Sequence, residues 1–184
     1  MRNFQLIASG IEVAGLHNAL MRHPELWGEE KFRTTYENTP HADVEDILIR
    51  YTAPDALDTK SVQNDRGAVW YPAAQKIDVK PVILNLMRYL DAYQLDRCLI
   101  TKLRPGGRIL PHADNVGDYV HLDGIARYHI VIQGLPGSVY RCGNEAVTMQ
   151  TGEIWWFNAH EEHEITNNSA DDRIHLIADL RLWP

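Results

Sequence analysis

The stretch LRPGGRILPHAD, from Leu103 to Asp114, joins a Pro-Gly-Gly turn to a short apolar strand that ends in a His-x-Asp pair. Proline followed by two glycines is typical of a tight turn, and the next segment, Arg108–His112, has the composition of a β-strand. This stretch therefore carries information on both the fold and a possible metal site.

Short strands of the same kind continue almost to the C-terminus, with turn residues between them. Many short strands at close spacing are typical of a jelly roll or a related fold of two packed sheets. This half of the chain therefore predicts a mainly β protein. We predict eight strands, at Cys98–Leu103, Arg108–His112, Arg127–Gln133, Ser138–Arg141, Ala146–Met149, Glu153–Asn158, Glu164–Asn167 and Arg173–Leu180.

The N-terminal part has a mixed character. Gly10–Arg22 and Lys80–Tyr93 place apolar residues at helical spacing, and Pro81 falls in the first turn of the second segment, where its missing N–H costs little. Asp46–Thr52 alternates and predicts a strand, whereas the polar segment Asp55–Gly67 predicts a loop. We expect flanking helices that cover the outside of one sheet.

The whole chain, 1–184, predicts a single domain, because 184 residues suffice for one core of ordinary size. In this interpretation residues 1–95 form a mixed α/β support region and residues 96–184 form the β core. The change of character near Leu95 is not taken as a domain boundary.

Charge and cysteine content exclude some classes of protein. The formal net charge of −7 disfavours duplex nucleic acid as the main partner, because phosphate binding needs a basic surface. Cys98 and Cys142 form no zinc-binding or disulfide pattern. The N-terminus lacks the apolar core of a signal peptide, and no run of about 18 apolar residues predicts a membrane span. We expect a cytoplasmic protein without a membrane or nucleic-acid partner, and its oligomeric state is open.

A His-x-Asp pair is a weak signal by itself, since it occurs three times in this chain, at 41–43, 112–114 and 121–123. His112 ends an apolar strand, and strand ends on a rigid sheet hold ligands well. His41 follows a proline in a polar loop, and Asp123-Gly124 has the composition of a turn. We therefore favour His112 and Asp114 as ligands and expect the other two pairs to be surface polar residues.

The third ligand is predicted to be a histidine farther along the chain, from the candidates His129, His160, His163 and His175. Each of them, taken alone, is more often a core or surface residue than a ligand. His163 is favoured because it opens a strand ten residues before Arg173, and His160 is the runner-up. Two histidines and one carboxylate suit a non-haem Fe(II) centre that keeps coordination positions open.

Two cationic positions near these ligands could hold an anion. Arg173 lies in the alternating segment DRIHLIADL (172–180), where it either clamps a carboxylate through both arms of its guanidinium or pairs with an acidic side chain on an outer face. Arg127 and His129 are two residues apart, so they share one face of a strand. They either hold an anion together or belong to an exposed alternating strand.

Taken together, these segments resemble the aspartyl/asparaginyl β-hydroxylase family of 2-oxoglutarate- and Fe(II)-dependent dioxygenases. The matching residues are LRPGGRILPHAD, RYHI, GEIWWFN, His163 with EITNNS after it, and DRIHLIAD, in that order. The resemblance covers about Thr101–Asp179, and it implies a double-stranded β-helix of the jelly-roll, cupin-like type.

The resemblance also implies roles for individual residues. Iron would be held by His112, Asp114 and His163. The contacts to 2-oxoglutarate would come from Arg173 and the Thr101 hydroxyl at the distal carboxylate, and from Arg127 and His129 near the metal-chelating end.

The implied reaction uses Fe(II), 2-oxoglutarate and O2, hydroxylates a C–H bond and releases succinate and CO2. By default the target is the β-carbon of an Asp- or Asn-type side chain in a peptide, a protein or a free amino acid. The segment between Asp114 and Arg127 is longer than in the animal enzymes, which points to a different substrate. Two other functions stay open: a cupin-like metal enzyme that does not use 2-oxoglutarate, and a non-catalytic jelly-roll binding protein.

Overall fold

Two antiparallel sheets dominate the computed structural model, which describes residues 1–57, 67–114 and 125–183. The strands are β1 (Phe4–Ala8), β2 (Val44–Thr52), β3 (Ala68–Trp70), β4 (Ala92–Leu103), β5 (Arg108–His112), β6 (Ile125–Gln133), β7 (Ser138–Cys142), β8 (Glu145–Val147), β9 (Ile154–Phe157), β10 (His163–Asn167) and β11 (Arg173–Leu182). The helices are α1 (Ala14–Arg22), the single turn α2 (Phe32–Thr35) and α3 (Lys80–Leu90). Short 3₁₀ turns lie at Pro24–Leu26, Pro54–Ala56 and Pro72–Gln75.

The large sheet has seven strands in the order β1-β9-β6-β11-β4-β2-β3, and the small sheet has four in the order β5-β10-β7-β8. Apolar side chains of both sheets form a shared core, with Leu103, Val131 and Phe157 from the large sheet and Ile109 and Ile165 from the small one. The predicted mainly β architecture of two packed sheets is confirmed. Strands from both sides of Leu95 join the large sheet.

Alternation along β11 divides its side chains between two environments. The even-numbered residues from Ile174 to Leu180 belong to the core cluster under the helices. On the opposite face, Arg173 and Ile177 line a cavity that also borders the small sheet. A single strand therefore supplies both the hydrophobic anchor of the helices and part of a polar wall.

The helices cover the outer face of the large sheet, as predicted. Leu16 and Leu20 of α1 and Ile83 and Leu86 of α3 are buried in the same cluster as the even-numbered residues of β11. Within the described part of the chain, no helix is long and apolar enough to cross a membrane.

The element boundaries differ from the prediction at a few places. Helix α3 ends at Leu90 rather than at Tyr93, because Asp91 adopts a left-handed conformation with φ 54°, and β4 starts at Ala92. Strand β1 was not predicted; it pairs with β9 at the edge of the large sheet. Most of the predicted loop Asp55–Gly67 lies outside the described residues.

Candidate metal centre

The register between β5 and β10 brings two histidines face to face. His163 is the antiparallel partner of His112, and their ring centroids are 4.3 Å apart. Asp114 follows at the end of β5, where its backbone N–H donates to the carbonyl oxygen of Ala159 at 2.9 Å. Potential ligand atoms of His112, Asp114 and His163 all lie within 4.8 Å of one another. The three predicted metal residues are therefore brought together by strand pairing.

Each histidine ring is oriented by a backbone carbonyl. Nδ1 of His112 donates to the carbonyl oxygen of Leu110 at 2.7 Å, and Nδ1 of His163 donates to that of Glu161 at 3.0 Å. A neutral imidazole that carries its proton on Nδ1 keeps a lone pair on Nε2. Both rings thus offer Nε2 as a metal ligand, in the arrangement that is typical of metal-binding histidines.

The protonation states also suit a divalent cation. Burial lowers the pKa of His163 to about 4, although the negative charge of Asp114 opposes this shift. Burial by itself would raise the pKa of Asp114, but the charge of Arg127 and the neighbouring histidines lowers it below the ordinary value. At neutral pH the site therefore holds neutral imidazole and ionised carboxylate, which are the forms that bind metals.

Arg127 connects the candidate metal centre to a buried carboxylate. Its Nε and Nη2 donate to the two oxygens of Asp179 at 2.7 and 2.9 Å, and its Nη1 donates to Oδ2 of Asp114. Oδ1 of Asp114 is 3.8 Å from Nε2 of His112. Arg127 thus contacts a predicted ligand directly, and Asp179, which sequence reasoning did not single out, holds the arginine in place.

A small cavity extends from these residues between the sheets. Oγ1 of Thr101 and Nε2 of His129 are buried in its wall and have no hydrogen-bond partner among the described residues. A buried polar atom without a partner is costly unless a ligand satisfies it. The full lining is Arg33, His41, Thr101, Ile109, His112, Asp114, Arg127, His129, Tyr140, His163, Ile165, Arg173 and Ile177.

Arg173 is a buried cation in the same wall, with 3% of its surface exposed. Its Nη2 is 2.9 Å from Nδ1 of His175, and its guanidinium carbon is 5.7 Å from the ring centroid of Tyr140. Burial lowers the pKa of Arg173 to about 10. Over the ranges 1–57, 67–114 and 125–183, no carboxylate forms an ion pair with it. A buried charge of this kind needs a partner, and an anionic ligand would supply it.

The structure also brings two residues from the N-terminal part to the cavity. The ring of His41 is 4.9 Å from that of His112, and Arg33 lines the same cavity. The backbone N–H of Leu110 donates to the carbonyl oxygen of Pro40 at 3.0 Å, which holds the 41–43 segment against β5. The expectation of a surface pair is therefore wrong for His41, although Asp43 is exposed. The pair at 121–123 lies outside the described residues.

The sequence carried a signal for only one of the site residues that its analysis missed. Asp179 follows Arg173 by an even number of positions on the alternating strand, so alternation places both on the same face. For Arg33 and Tyr140 no local pattern existed, because their neighbours at the site are distant in sequence. His41 belongs to a His-x-Asp pair, but its place in a polar loop indicated a surface residue. His160, the alternative third ligand, is exposed in the loop between β9 and β10.

Comparisons with known proteins agree with this geometry. A family model described as aspartyl/asparaginyl beta-hydroxylase matches residues 72–182. No curated protein sequence matches the chain.

Among solved structures, a prolyl hydroxylase from Trichoplax adhaerens in complex with a hypoxia inducible factor peptide fragment is similar with a TM-score of 0.62 and 10% identity, covering 98% of this chain and 84% of that one. An oxidoreductase of the 2OG-Fe(II) oxygenase family from Burkholderia pseudomallei has a TM-score of 0.55 and 14% identity, covering 88% and 77%. A non-heme alpha ketoglutarate dependent epimerase of nogalamycin biosynthesis has a TM-score of 0.58 and 11% identity, covering 98% and 78%. These similarities show that the fold is the double-stranded β-helix.

Proposed function

This chain belongs to the aspartyl/asparaginyl β-hydroxylase family, and from that premise we propose that it hydroxylates the β-carbon of an Asp- or Asn-type side chain. As a member of the family it is an oxygenase that depends on Fe(II), 2-oxoglutarate and O2. When bound together, these three supply the oxidising chemistry: 2-oxoglutarate is converted to succinate and CO2, and one oxygen atom is inserted into a substrate C–H bond.

The observation that carries the proposal is the combination of a ligand triad with a buried arginine that has no carboxylate partner among the described residues. His112, Asp114 and His163 would hold the iron, because two Nε2 lone pairs and one carboxylate converge within 4.8 Å. This donor set suits Fe(II) and leaves positions for other ligands. The residues present therefore fit the metal of the family.

The cavity wall beside the triad fits a dicarboxylate. Arg173 supplies a buried positive charge and Thr101 a buried hydroxyl without a hydrogen-bond partner among the described residues, so these two would hold the distal carboxylate. Arg127 contacts Asp114 directly, so we assign it to the metal-chelating end of the diacid, and His129 of the same strand lines the cavity beside it. A cupin-like enzyme that binds no anion there would leave the buried charge of Arg173 unexplained. A binding protein without activity could hold the same anion, and only turnover separates it from the oxygenase.

The rest of the chain contributes orientation and the exclusion of water. Asp179 and Arg127 fix the carboxylate of Asp114, and the aromatic rings of Tyr140 and Phe157 pack around His129 and His163. The Trichoplax hydroxylase of similar fold was solved with a peptide, which supports a peptide or protein substrate. A free amino acid is the other substrate class to be tested.

The test is a turnover screen against Asp- and Asn-containing peptides and free amino acids. We expect substrate-dependent succinate formation and a product heavier by one oxygen atom. His112→Ala and Asp114→Ala should abolish both signals because each removes a metal ligand. His160→Ala, at an exposed histidine close to His163 in sequence, is the matched control and should leave both signals unchanged. Full activity in His112→Ala would refute the assignment of the triad.

A further inference from the structure

His175 lies behind the wall of the cavity, on β11 between Arg173 and Ile177, and only 1% of its surface is exposed. Its Nδ1 is 2.9 Å from Nη2 of Arg173 and 3.1 Å from Nδ1 of His129. One buried nitrogen therefore contacts two residues of the cavity wall at once. No role described above accounts for this histidine.

The chemistry of the three groups determines where the protons are. A guanidinium has only N–H donors, so Nδ1 of His175 must present its lone pair to Arg173. The single proton of the neutral His175 ring is then on Nε2. Nδ1 of His129 can approach the same lone pair only as a donor, so the His129 ring carries its proton on Nδ1.

We propose that His175 is a positioning residue for diacid binding, an inference that rests on the function proposed above. It fixes the rotation of the Arg173 guanidinium, so that the remaining N–H groups of this buried cation are available to a carboxylate. It also fixes the tautomer of His129. In this tautomer Nε2 of neutral His129 faces the cavity with a lone pair and no proton. It cannot donate to a carboxylate, which is therefore held by Arg173 and Thr101.

Two substitutions separate this role from simple packing. His175→Asn keeps an acceptor close to the position of Nδ1, because the amide oxygen of asparagine lies at the same distance from the backbone. His175→Phe keeps a planar ring but removes the acceptor. In His175→Phe, the N–H groups of Arg173 and His129 that point at Nδ1 of His175 therefore lose their acceptor.

The measurement is the Kd of N-oxalylglycine, a non-reacting analogue of 2-oxoglutarate, for the Mn(II)-loaded protein by calorimetry. We expect His175→Phe to raise this Kd by about tenfold or more, and His175→Asn to stay within about threefold of the wild type. The affinity for Mn(II) alone should change by less than about twofold in both variants, because His175 does not touch the triad. Equal binding by His175→Phe and the wild type, or equal loss in both variants, would overturn the proposal.

A second readout needs neither ligand nor activity. Nitrogen-15 NMR of the metal-free wild type, with labelled histidine, reports the protonated nitrogen of each ring. We expect Nε2–H on His175 and Nδ1–H on His129, and the opposite tautomer on either ring contradicts the arrangement. If the wild type binds no N-oxalylglycine, the proposed function fails, and the NMR result still decides whether His175 sets the tautomer of His129.

Discussion

Asp179 is fully buried, and it holds the arginine that contacts Asp114, one of the three candidate metal ligands. Both carboxylate oxygens of Asp179 accept hydrogen bonds from Arg127, which leaves Nη1 to orient Asp114. Partners of metal ligands are needed to keep the ligand atoms in position. A loosened Arg127 would compete with the metal for the Asp114 carboxylate.

We therefore expect Asp179→Asn to weaken Mn(II) binding by about tenfold or more. The neutral amide of asparagine has a single acceptor oxygen, so it cannot accept both hydrogen bonds from the guanidinium. Arg127 then shifts toward Asp114. The measurement is a calorimetric titration of the metal-free protein with Mn(II). The control is Asp171→Asn, an exposed residue that keeps its acceptor oxygen for the backbone N–H of Asp172. A metal affinity equal to that of the wild type would remove Asp179 from this role.

Arg173 provides the second prediction at this scale. Replacing it with Met keeps much of the side-chain volume but removes the buried charge, so the KM for 2-oxoglutarate should rise by about ten- to a hundredfold. The affinity for Mn(II) should stay within about twofold. Arg141→Met, at an exposed arginine of β7, is the matched control and should leave the KM unchanged. An unchanged KM in Arg173→Met would show that the diacid binds elsewhere.

The three candidate ligands could be singled out from sequence because they stand at or just beyond strand ends next to turns. His112 ends β5 as expected, and His163 opens β10 one residue before the predicted start. The partner of Arg127 could not be predicted in the same way. Asp179 lies 52 residues farther along the chain, and only the pairing of β6 with β11 places the two side chains opposite each other.

At the scale of elements, Asn167 joins the turns that precede β5 and follow β10. Its backbone N–H donates to the carbonyl oxygen of Gly107 at 3.0 Å, and its carbonyl oxygen accepts from the N–H of Gly106 at 2.7 Å. Its side-chain Nδ2 donates to the carbonyl oxygen of Leu103 at 2.8 Å. Gly106 has a φ of +83°, in the left-handed region that favours glycine. The register of the two histidine strands therefore depends on this buried side chain.

We expect Asn167→Ala to lower the free energy of unfolding by about 2 kcal/mol or more, because it leaves buried backbone carbonyls without their donor. Urea denaturation of the metal-free protein measures this change. Asn168→Ala replaces the neighbouring exposed asparagine and should change stability by less than about 0.5 kcal/mol. Equal stability of the two variants would mean that the turn is held without the Asn167 side chain.

Alternation and turn residues predicted most strands of the C-terminal half to within a few residues. Strand β1 was missed because five residues at the N-terminus, FQLIA, give too short a pattern to separate from a loop. It forms because β9 offers an open edge, with Phe4 opposite Phe157. Such pairing depends on a strand that is distant in sequence, and local propensity does not contain that information.

For the molecule as a whole, the N-terminal part is more than a support for the β core. It contributes β1, β2 and β3 to the large sheet and carries His41 to the ring of His112. The sequence predicts only a supporting role for it, because its His-x-Asp pair at 41–43 lies in a polar loop and indicates a surface position. The contact depends on the fold that brings Pro40 against β5.

Burial of imidazoles makes the stability of the metal-free protein depend on pH. Burial is the largest cause that lowers the pKa of five histidines: His41, His112, His129, His163 and His175. For His163 the pKa falls from 6.5 to about 4. Between these values the unfolded chain binds a proton that the folded protein does not, so unfolding takes up protons and stability falls as the pH falls.

We expect the free energy of unfolding to decrease steadily from pH 7 to pH 4.5, with His163 alone contributing at most about 3 kcal/mol. The ionised Asp114 does not cancel this loss, because its lowered pKa removes stability only at still lower pH. Urea denaturation at several pH values measures the slope, and His163→Gln should make it shallower. Stability that stays constant or rises as the pH falls through this interval would show that the imidazoles are solvated, which would contradict the buried, neutral histidines on which the metal centre depends.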